Sequence, residues 1–124
     1  MTEQMKVVPK AEKVQTGVKD TKALAVALTQ AVADTYRLIF KTHSYHWNVE
    51  GPLFYSVHHL TDAQYKEMFP AADDLAERIR ALGQLAPHSL AEVMKLSVIK
   101  DLAALPSTLE MVEDLAKGAM REFG

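Results

Sequence analysis

Cysteine is absent from this 124-residue sequence. Its absence excludes disulfides, thiolate zinc sites and cysteine nucleophiles, and it is typical of a cytoplasmic protein. Long apolar runs are also missing, since no window approaches the roughly 20 apolar residues needed to cross a bilayer. The N-terminus, MTEQMKVVPKAEK, has no apolar core of the kind that a secretory signal contains. We therefore expect neither a membrane location nor secretion.

A strong charge of either sign is lacking, because the formal net charge is only −2. The exception is local: residues 1–22 carry five lysines against three acidic side chains. We interpret residues 1–20 as a flexible, lysine-bearing tail that keeps the chain in solution. The alternative is a mobile arm that contacts the phosphates of DNA, which requires only lysines and reach.

The remaining residues, 21–124, predict a single all-α domain. Apolar residues recur at three- and four-residue spacing from the expected N-cap at Asp20 onward, which predicts a first helix over about 21–49. Gly51-Pro52 ends this helix. The same spacing predicts a second helix over about 53–82, with Gly83 as its C-terminal stop.

Two capping boxes predict the later helices. SLAE at 89–92 opens a short helix to about residue 96, and STLE at 107–110 opens a last helix that runs to the terminus. The prediction is a bundle of three substantial helices plus a short linking helix. Pro70 should kink the second helix or divide it, and Gly118 should weaken the last one.

Four residues of metal-ligand type lie on the second predicted helix: His58, Asp62, Asp73 and Glu77. At about 100° per residue, all four fall within one sector of roughly 100°. Each i, i+4 pair places two side chains together on this face. Asp62 and Asp73 are nevertheless about 16 Å apart along the helix axis, so one ion cannot be held by both pairs of the same helix.

A second copy of the chain removes this difficulty. The two pairs are centred on the same point, between residues 67 and 68. An antiparallel copy of the helix that crosses there brings His58 and Asp62 of one chain against Asp73 and Glu77 of the other. A two-fold homodimer then has two identical sites at its interface. His46, at the end of the first helix, can supply a further nitrogen.

Three carboxylates and two imidazoles suit iron(II), manganese or zinc. Carboxylate-rich sites inside helix bundles are typical of the di-iron class, although its usual Glu-x-x-His repeat is missing here. The alternative is ordinary structure. Single histidines and aspartates on helices are mostly solvated or satisfied in the core, Trp47 is more often a core residue, and Glu77 with Arg78 can form a surface ion pair. Spacing alone leaves both interpretations open.

The motifs as a whole resemble those of a known family. HWNVEGPLFYSVHHLTD at 46–62, followed by DDLAERIRALG at 73–83, resembles the signature of the Dps proteins, the DNA-binding proteins from starved cells or mini-ferritins. The resemblance runs from about residue 21 to residue 115. It implies five ferroxidase ligands, at His46, His58, Asp62, Asp73 and Glu77. Trp47 matches the tryptophan beside the family's centre, where it can trap radicals, and His43 and His59 are expected only to flank the site.

The resemblance also implies a function and an assembly. Family members form dodecameric hollow shells with di-iron sites at two-fold dimer interfaces, oxidise iron(II), typically with hydrogen peroxide in preference to dioxygen, and store the ferric mineral. The expected ligand is therefore iron, the expected partner is a second copy of the chain, and the expected location is the cytoplasm. Binding of DNA through the lysine-bearing tail, with association with the nucleoid, is left open.

The chain departs from the family pattern at its C-terminus. It stops at LAKGAMREFG, where the third long helix should still be running, so a ferritin-like bundle without its fourth long helix is expected. Exposed apolar surface and altered assembly would follow. Two alternatives to an iron-storing ferroxidase remain: a non-enzymatic protein that compacts DNA, and a truncated relative that keeps the motif but fails to assemble.

Overall fold

The computed structural model describes the backbone of residues 19–123 and the side chains of residues 19–119. Its elements are α1 (Thr21–Asn48), α2 (Phe54–Ala81), α3 (Leu90–Leu96) and α4 (Thr108–Phe123). No strand occurs in these described residues. The predicted all-α class, with three substantial helices and a short one, is confirmed. The predictions for the lysine-bearing tail fall almost entirely outside the described residues.

Three helices begin with side-chain caps that the sequence predicts. The carboxylate of Asp20 accepts the backbone N–H three residues later at 3.0 Å. The hydroxyl of Ser89 accepts the N–H of Glu92 at 3.1 Å. At the start of α4 the box is reciprocal, since Ser107 accepts the N–H of Glu110 at 3.3 Å and the Glu110 carboxylate accepts the N–H of Ser107 at 3.0 Å. These hydrogen bonds to Ser107 lower the pKa of Glu110. Each cap satisfies backbone donors that the first turn leaves unpaired.

Glycine makes the corner between α1 and α2 possible. Gly51 has φ of +89°, a conformation that strongly favours glycine, and Pro52 follows it. Five residues separate the two helices. The chain therefore reverses direction sharply, and the end of α1 lies beside the beginning of α2.

Pro70 lies inside α2 without dividing it. Proline has no N–H, so the helix loses one backbone hydrogen bond at this position. The helix nevertheless runs from Phe54 to Ala81 without interruption. Of the two predicted outcomes, division of the helix is therefore wrong. The helix has buried side chains on both sides of the proline, and their packing holds it in place. These residues are Val57, Thr61, Ala72 and Ile79.

The helix α1 is the centre of the bundle and packs against each of the other three. A buried apolar cluster joins it to α2 and α4 through Tyr45, Val57 and Met111. Farther along α4, Gly118 permits a close approach: a Cβ atom there would lie 2.7 Å from Cδ2 of Leu38. The helix α4 continues across Gly118. Because glycine has no side chain, α4 can approach α1 closely at this position.

By length and composition alone, α1 is long and apolar enough to cross a bilayer. The expectation that no segment of the sequence reaches this limit is therefore wrong for α1. This helix also buries charged side chains, at Asp34 and Lys41. Both are paired with other parts of the chain. This pairing and the contacts with three helices identify α1 as the core helix of the bundle.

The buried Lys41 ties α1 to α4. Its Nζ lies 3.0 Å from the carboxylate of Asp114 and donates to the backbone oxygen of Lys100. The hydroxyl of Tyr45 donates to the same carboxylate at 2.6 Å. Burial, followed by this hydrogen bond, raises the pKa of Tyr45 well above its usual value, so the phenol stays protonated. A buried charge that keeps its partners costs far less than one left unpaired.

The buried carboxylate of Asp34 ties α1 to the chain after α3. Its Oδ1 accepts the hydroxyl of Ser97 at 2.6 Å and the backbone N–H of Val98 at 2.8 Å. Its Oδ2 accepts the side-chain amide of Gln30 at 3.3 Å. A helix of only seven residues, such as α3, has little stability of its own. These contacts therefore help to hold α3 against the bundle.

Replacing Asp34 with alanine should lower the free energy of unfolding by about 2–4 kcal/mol, because buried donors would lose their acceptor. The measurement is urea unfolding followed by circular dichroism at one protein concentration. Asp74→Ala is the matched control, since Asp74 is exposed and its pair with Arg78 at 3.2 Å is worth under about 1 kcal/mol. Equal losses in both variants would contradict this account.

Candidate metal centre

Two reciprocal hydrogen bonds between histidines join the end of α1 to the beginning of α2. Nδ1 of His46 lies 2.7 Å from the backbone oxygen of His58, and Nδ1 of His58 lies 2.7 Å from the backbone oxygen of His46. His46 is buried and His58 is half-buried. Both rings are therefore fixed relative to the backbones of the two helices.

These contacts determine which nitrogen carries the proton. A carbonyl oxygen only accepts, so Nδ1 is the donor in both rings. In the neutral imidazole, Nε2 then has a free lone pair, which is the form that binds metal ions. Histidines that ligate metals commonly donate their other N–H to a backbone carbonyl or a carboxylate. His46 and His58 therefore have the tautomer that a nitrogen ligand to a metal requires.

The two imidazoles are stacked. Their centroids are 3.7 Å apart and their planes differ by 16°. His58 also stacks on Phe54, with the ring centroids 4.8 Å apart. A metal ion binds an imidazole nitrogen in the plane of the ring, at about 2.0–2.1 Å. Two nearly parallel planes at this separation cannot both contain the same ion, so the pair suits two neighbouring ions.

Asp62 lies one turn after His58 and is held in its ionised form. Its Oδ2 accepts from Nζ of Lys66 at 2.9 Å, and its Oδ1 accepts from the hydroxyl of Tyr65 at 3.1 Å. The pKa of Asp62 is lowered mainly by the hydrogen bond from Lys66, with a smaller contribution from the hydroxyl of Tyr65.

Asp73 and Glu77 lie in the other half of α2 and are exposed. Within a single chain, Asp73 lies about 16 Å from Asp62 along the helix axis, and Glu77 lies one turn farther away. Among the residues that the structure describes, no group of three or more histidine, aspartate or glutamate side chains can hold a metal. Asp73 borders an open groove of about 800 Å³. The groove is lined by α1, α2 and the segment around α3. The single chain thus brings His46 and His58 into contact, but it does not assemble the five predicted residues into one site.

Three side chains around Asp62 and His46 were not singled out from the sequence. Thr61 places its hydroxyl 3.2 Å from Nδ1 of His46, and Tyr65 and Lys66 bind the two oxygens of Asp62. A signal for the last two was available, because they follow Asp62 by three and four residues and therefore share its face.

The flanking histidines have different surroundings. His43 lies between two aromatic rings, with its centroid 4.1 Å from that of Trp47 and 4.2 Å from that of Tyr65. His59 is exposed and stacks on Tyr55 at 5.8 Å. Neither ring contacts a candidate ligand as closely as His46 contacts His58.

Comparison with known proteins gives consistent matches. The family model of the ferritin-like domain matches residues 25–119. An uncharacterised low temperature-induced protein of Nostoc sp. is 38% identical over 91 residues, which cover 73% of this chain and 51% of that protein. The chain spans about half the length of the first curated relatives that it matches.

Two solved structures share the fold and part of the sequence. The crystal structure of Dps from Staphylococcus aureus has a TM-score of 0.75 and 35% identity, with 81% of this chain and 68% of that chain covered. Dps from Vibrio cholerae, described as a member of a broad superfamily of ferritin-like diiron-carboxylate proteins, has a TM-score of 0.79 and 27% identity. The match covers 83% of this chain and 65% of that one.

The hydrogen bonds of the histidine pair predict their tautomers. In the neutral state, both His46 and His58 should carry the proton on Nδ1, because each Nδ1 donates to a carbonyl. Long-range proton–nitrogen NMR correlations distinguish the two tautomers. The exposed His59 is the internal control, and we expect it to favour the Nε2–H form of free imidazole. A proton on Nε2 in either member of the pair would contradict the described geometry.

Lys66 should control the ionisation of Asp62. Lys66→Met removes the ammonium that stabilises the carboxylate, so the pKa of Asp62 should rise towards its ordinary value. Carboxyl carbon shifts followed by NMR through an acid titration report this change. Lys95→Met, on α3, is the control and should leave the pKa unchanged. The attribution to Lys66 is wrong if both variants behave alike.

Proposed function

This chain belongs to the Dps family of ferritin-like proteins, and we propose that it oxidises iron(II) and stores the ferric product. The observation that carries the proposal is the histidine pair. His46 and His58 each direct Nδ1 to a backbone carbonyl and leave Nε2 free. Asp62 adds an ionised carboxylate one turn away. Mixed nitrogen and oxygen ligands of this kind suit iron(II).

The stacked geometry supports a pair of ions. The 3.7 Å separation of the imidazole centroids is close to the roughly 3.5–4 Å that separates the metals in two-metal sites. With one ion for each ring, two iron(II) ions can lose one electron each in the same event. This geometry therefore favours a two-electron oxidant over two separate one-electron steps.

The remaining ligands come from a second copy of the chain. Asp73 and Glu77 are exposed on the same face of α2 as Asp62, and the two pairs are centred on one point. In an antiparallel pair of α2 helices, the carboxylates of one chain meet the histidines of the other, and two identical sites result. The apolar rim of the groove beside Asp73, which includes Phe69 and Leu90, offers surface for such a contact.

Iron(II) is the substrate and hydrogen peroxide the proposed oxidant. Two iron(II) ions supply two electrons, and these electrons with two protons convert one peroxide into two waters. No hydroxyl radical is released, because the O–O bond receives both electrons. Oxygen-rich ligation stabilises the ferric product, and hydrolysis then yields the mineral that is stored.

The side chains of this site have separate tasks. His46 and His58 position the two ions, and their Nδ1 bonds keep the rings from rotating. Asp62 supplies negative charge, which the neighbouring Lys66 keeps available at neutral pH. Trp47, which is 57% exposed beside His43, is placed to intercept a one-electron oxidant near the site.

The assembly and location follow from the same proposal. A two-fold dimer is the smallest unit with complete sites, and a dodecameric shell in the cytoplasm is the form in which mineral would be stored. Protection of the cell against peroxide would result. Binding of DNA through the lysines of residues 1–20 stays a prediction, because nearly all of that segment lies outside the described residues.

Removing a ligand should abolish most of the activity. His46→Ala and Asp62→Ala should lower the initial rate of iron(II) oxidation by peroxide, above a protein-free blank, at least about 100-fold. Absorbance of the ferric product gives the rate. His59→Ala and Asp74→Ala are matched controls that neighbour the candidate ligands and should keep the rate of the original chain. Unchanged rates in both ligand variants would falsify the assignment of the site.

A further inference from the structure

Three neighbouring rings form a continuous row beside the candidate metal centre. The His43 ring lies 4.1 Å from Trp47 and 4.2 Å from Tyr65, measured between centroids, and its plane is tilted by 43° and 27° to theirs. The first two residues lie on α1 and the third lies on α2. No metal ligation is needed for this arrangement, since helix packing alone brings the rings together.

At the two ends of this row are a tryptophan and a tyrosine. In a chain without cysteine, these are the side-chain types that lose an electron most readily. Trp47 is the sole tryptophan and is 57% exposed, so an oxidant in solution can reach it. Tyr65 is half-buried, and its hydroxyl donates to Oδ1 of Asp62 at 3.1 Å. The phenol therefore has a base in place for the proton that it must release on oxidation.

We propose that Trp47, His43 and Tyr65 form an electron-transfer path in which Tyr65 reduces an oxidised Trp47 across the ring of His43. A one-electron oxidant first takes one electron from Trp47, and the indole N–H proton goes to water. One electron then passes from Tyr65 to the indolyl radical, which regains a proton from water. The phenol proton leaves along the hydrogen bond to Asp62 and reaches solvent.

The balance of this sequence is one electron delivered to the oxidant and one neutral tyrosyl radical formed. His43 is unchanged at the end, because it only supplies the ring through which the electron passes. The direction is favourable because a tyrosyl radical is a weaker oxidant than an indolyl radical at neutral pH. The path thus moves a radical from an exposed ring to a less exposed one.

The path deepens the proposed function. If iron(II) meets peroxide singly, a hydroxyl radical forms, and a nearby ring that can be oxidised would intercept it. This consequence rests on the proposed function, whereas the transfer between the rings does not. The transfer can therefore be tested in the metal-free protein, with azidyl radical as the one-electron oxidant.

Pulse radiolysis of the metal-free chain in azide solution should first produce the absorption of the indolyl radical. That band should then decay while the tyrosyl band grows at the same rate. Because the path lies within one chain, the rate should not depend on protein concentration. A conversion whose rate rises with protein concentration would come from collisions between chains and would overturn the proposal.

Single substitutions identify the residues of the path. Tyr65→Phe should abolish the tyrosyl band that grows from the indolyl radical. Tyr55→Phe is the matched control, because Tyr55 is 76% exposed and contacts His59 instead, and it should keep the conversion. His43→Leu should slow the conversion by about tenfold or more. Circular dichroism establishes that each variant is folded.

The outcomes separate this proposal from the proposed function. Conversion that persists in Tyr65→Phe, or at an unchanged rate in His43→Leu, overturns the path whatever the chain does with iron. Conversion that behaves as expected supports the path even if the chain fails to oxidise iron(II). In that case the rings would serve as a radical trap beside a site with another ligand.

Discussion

The structure depends on one pair of hydrogen bonds, those that His46 and His58 exchange through their Nδ1 atoms and backbone oxygens. They join α1 to α2 where the chain turns at Gly51, and they leave Nε2 of each ring free. Packing and chemistry are therefore determined together. A side chain that lost either bond would loosen the corner of the bundle and also change the nitrogen available for a metal.

The second constraint is the length of α2. The helix presents its ligand-type side chains on one face but separates Asp62 from Asp73 by about 16 Å, so a single chain can build only half of the proposed site at each end. Asp73 and Glu77 are exposed, and among the described residues they belong to no group of three or more ligand-type side chains. In the proposed site chemistry and assembly are linked, since it is complete only with a symmetric contact between two α2 helices.

Local rules predicted the helices and the placement of four ligand-type side chains on one face of α2, because caps and i, i+4 spacing depend on residues close in sequence. The full set of five candidate ligands came from the resemblance to the Dps family. The boxes at 89–92 and 107–110 opened α3 and α4 as expected. Long-range partners could not be predicted in this way. Asp34 binds Ser97 and Val98, which follow it by 63 and 64 positions in the sequence. The stacking of His43 on Tyr65 depends on how two helices pack. Such contacts follow from tertiary structure, which spacing along one helix does not contain.

Complementation between two inactive chains tests the shared site most directly. One variant carries His58→Ala and the other carries Asp73→Ala with Glu77→Ala, and each alone should fail to oxidise iron(II). In a mixed dimer one site holds both defects and the other is intact. Unfolding and refolding an equal mixture should therefore restore about a quarter of the original activity, since random pairing makes half of the dimers mixed. A mixture that stays as inactive as its components would contradict a site built from two chains.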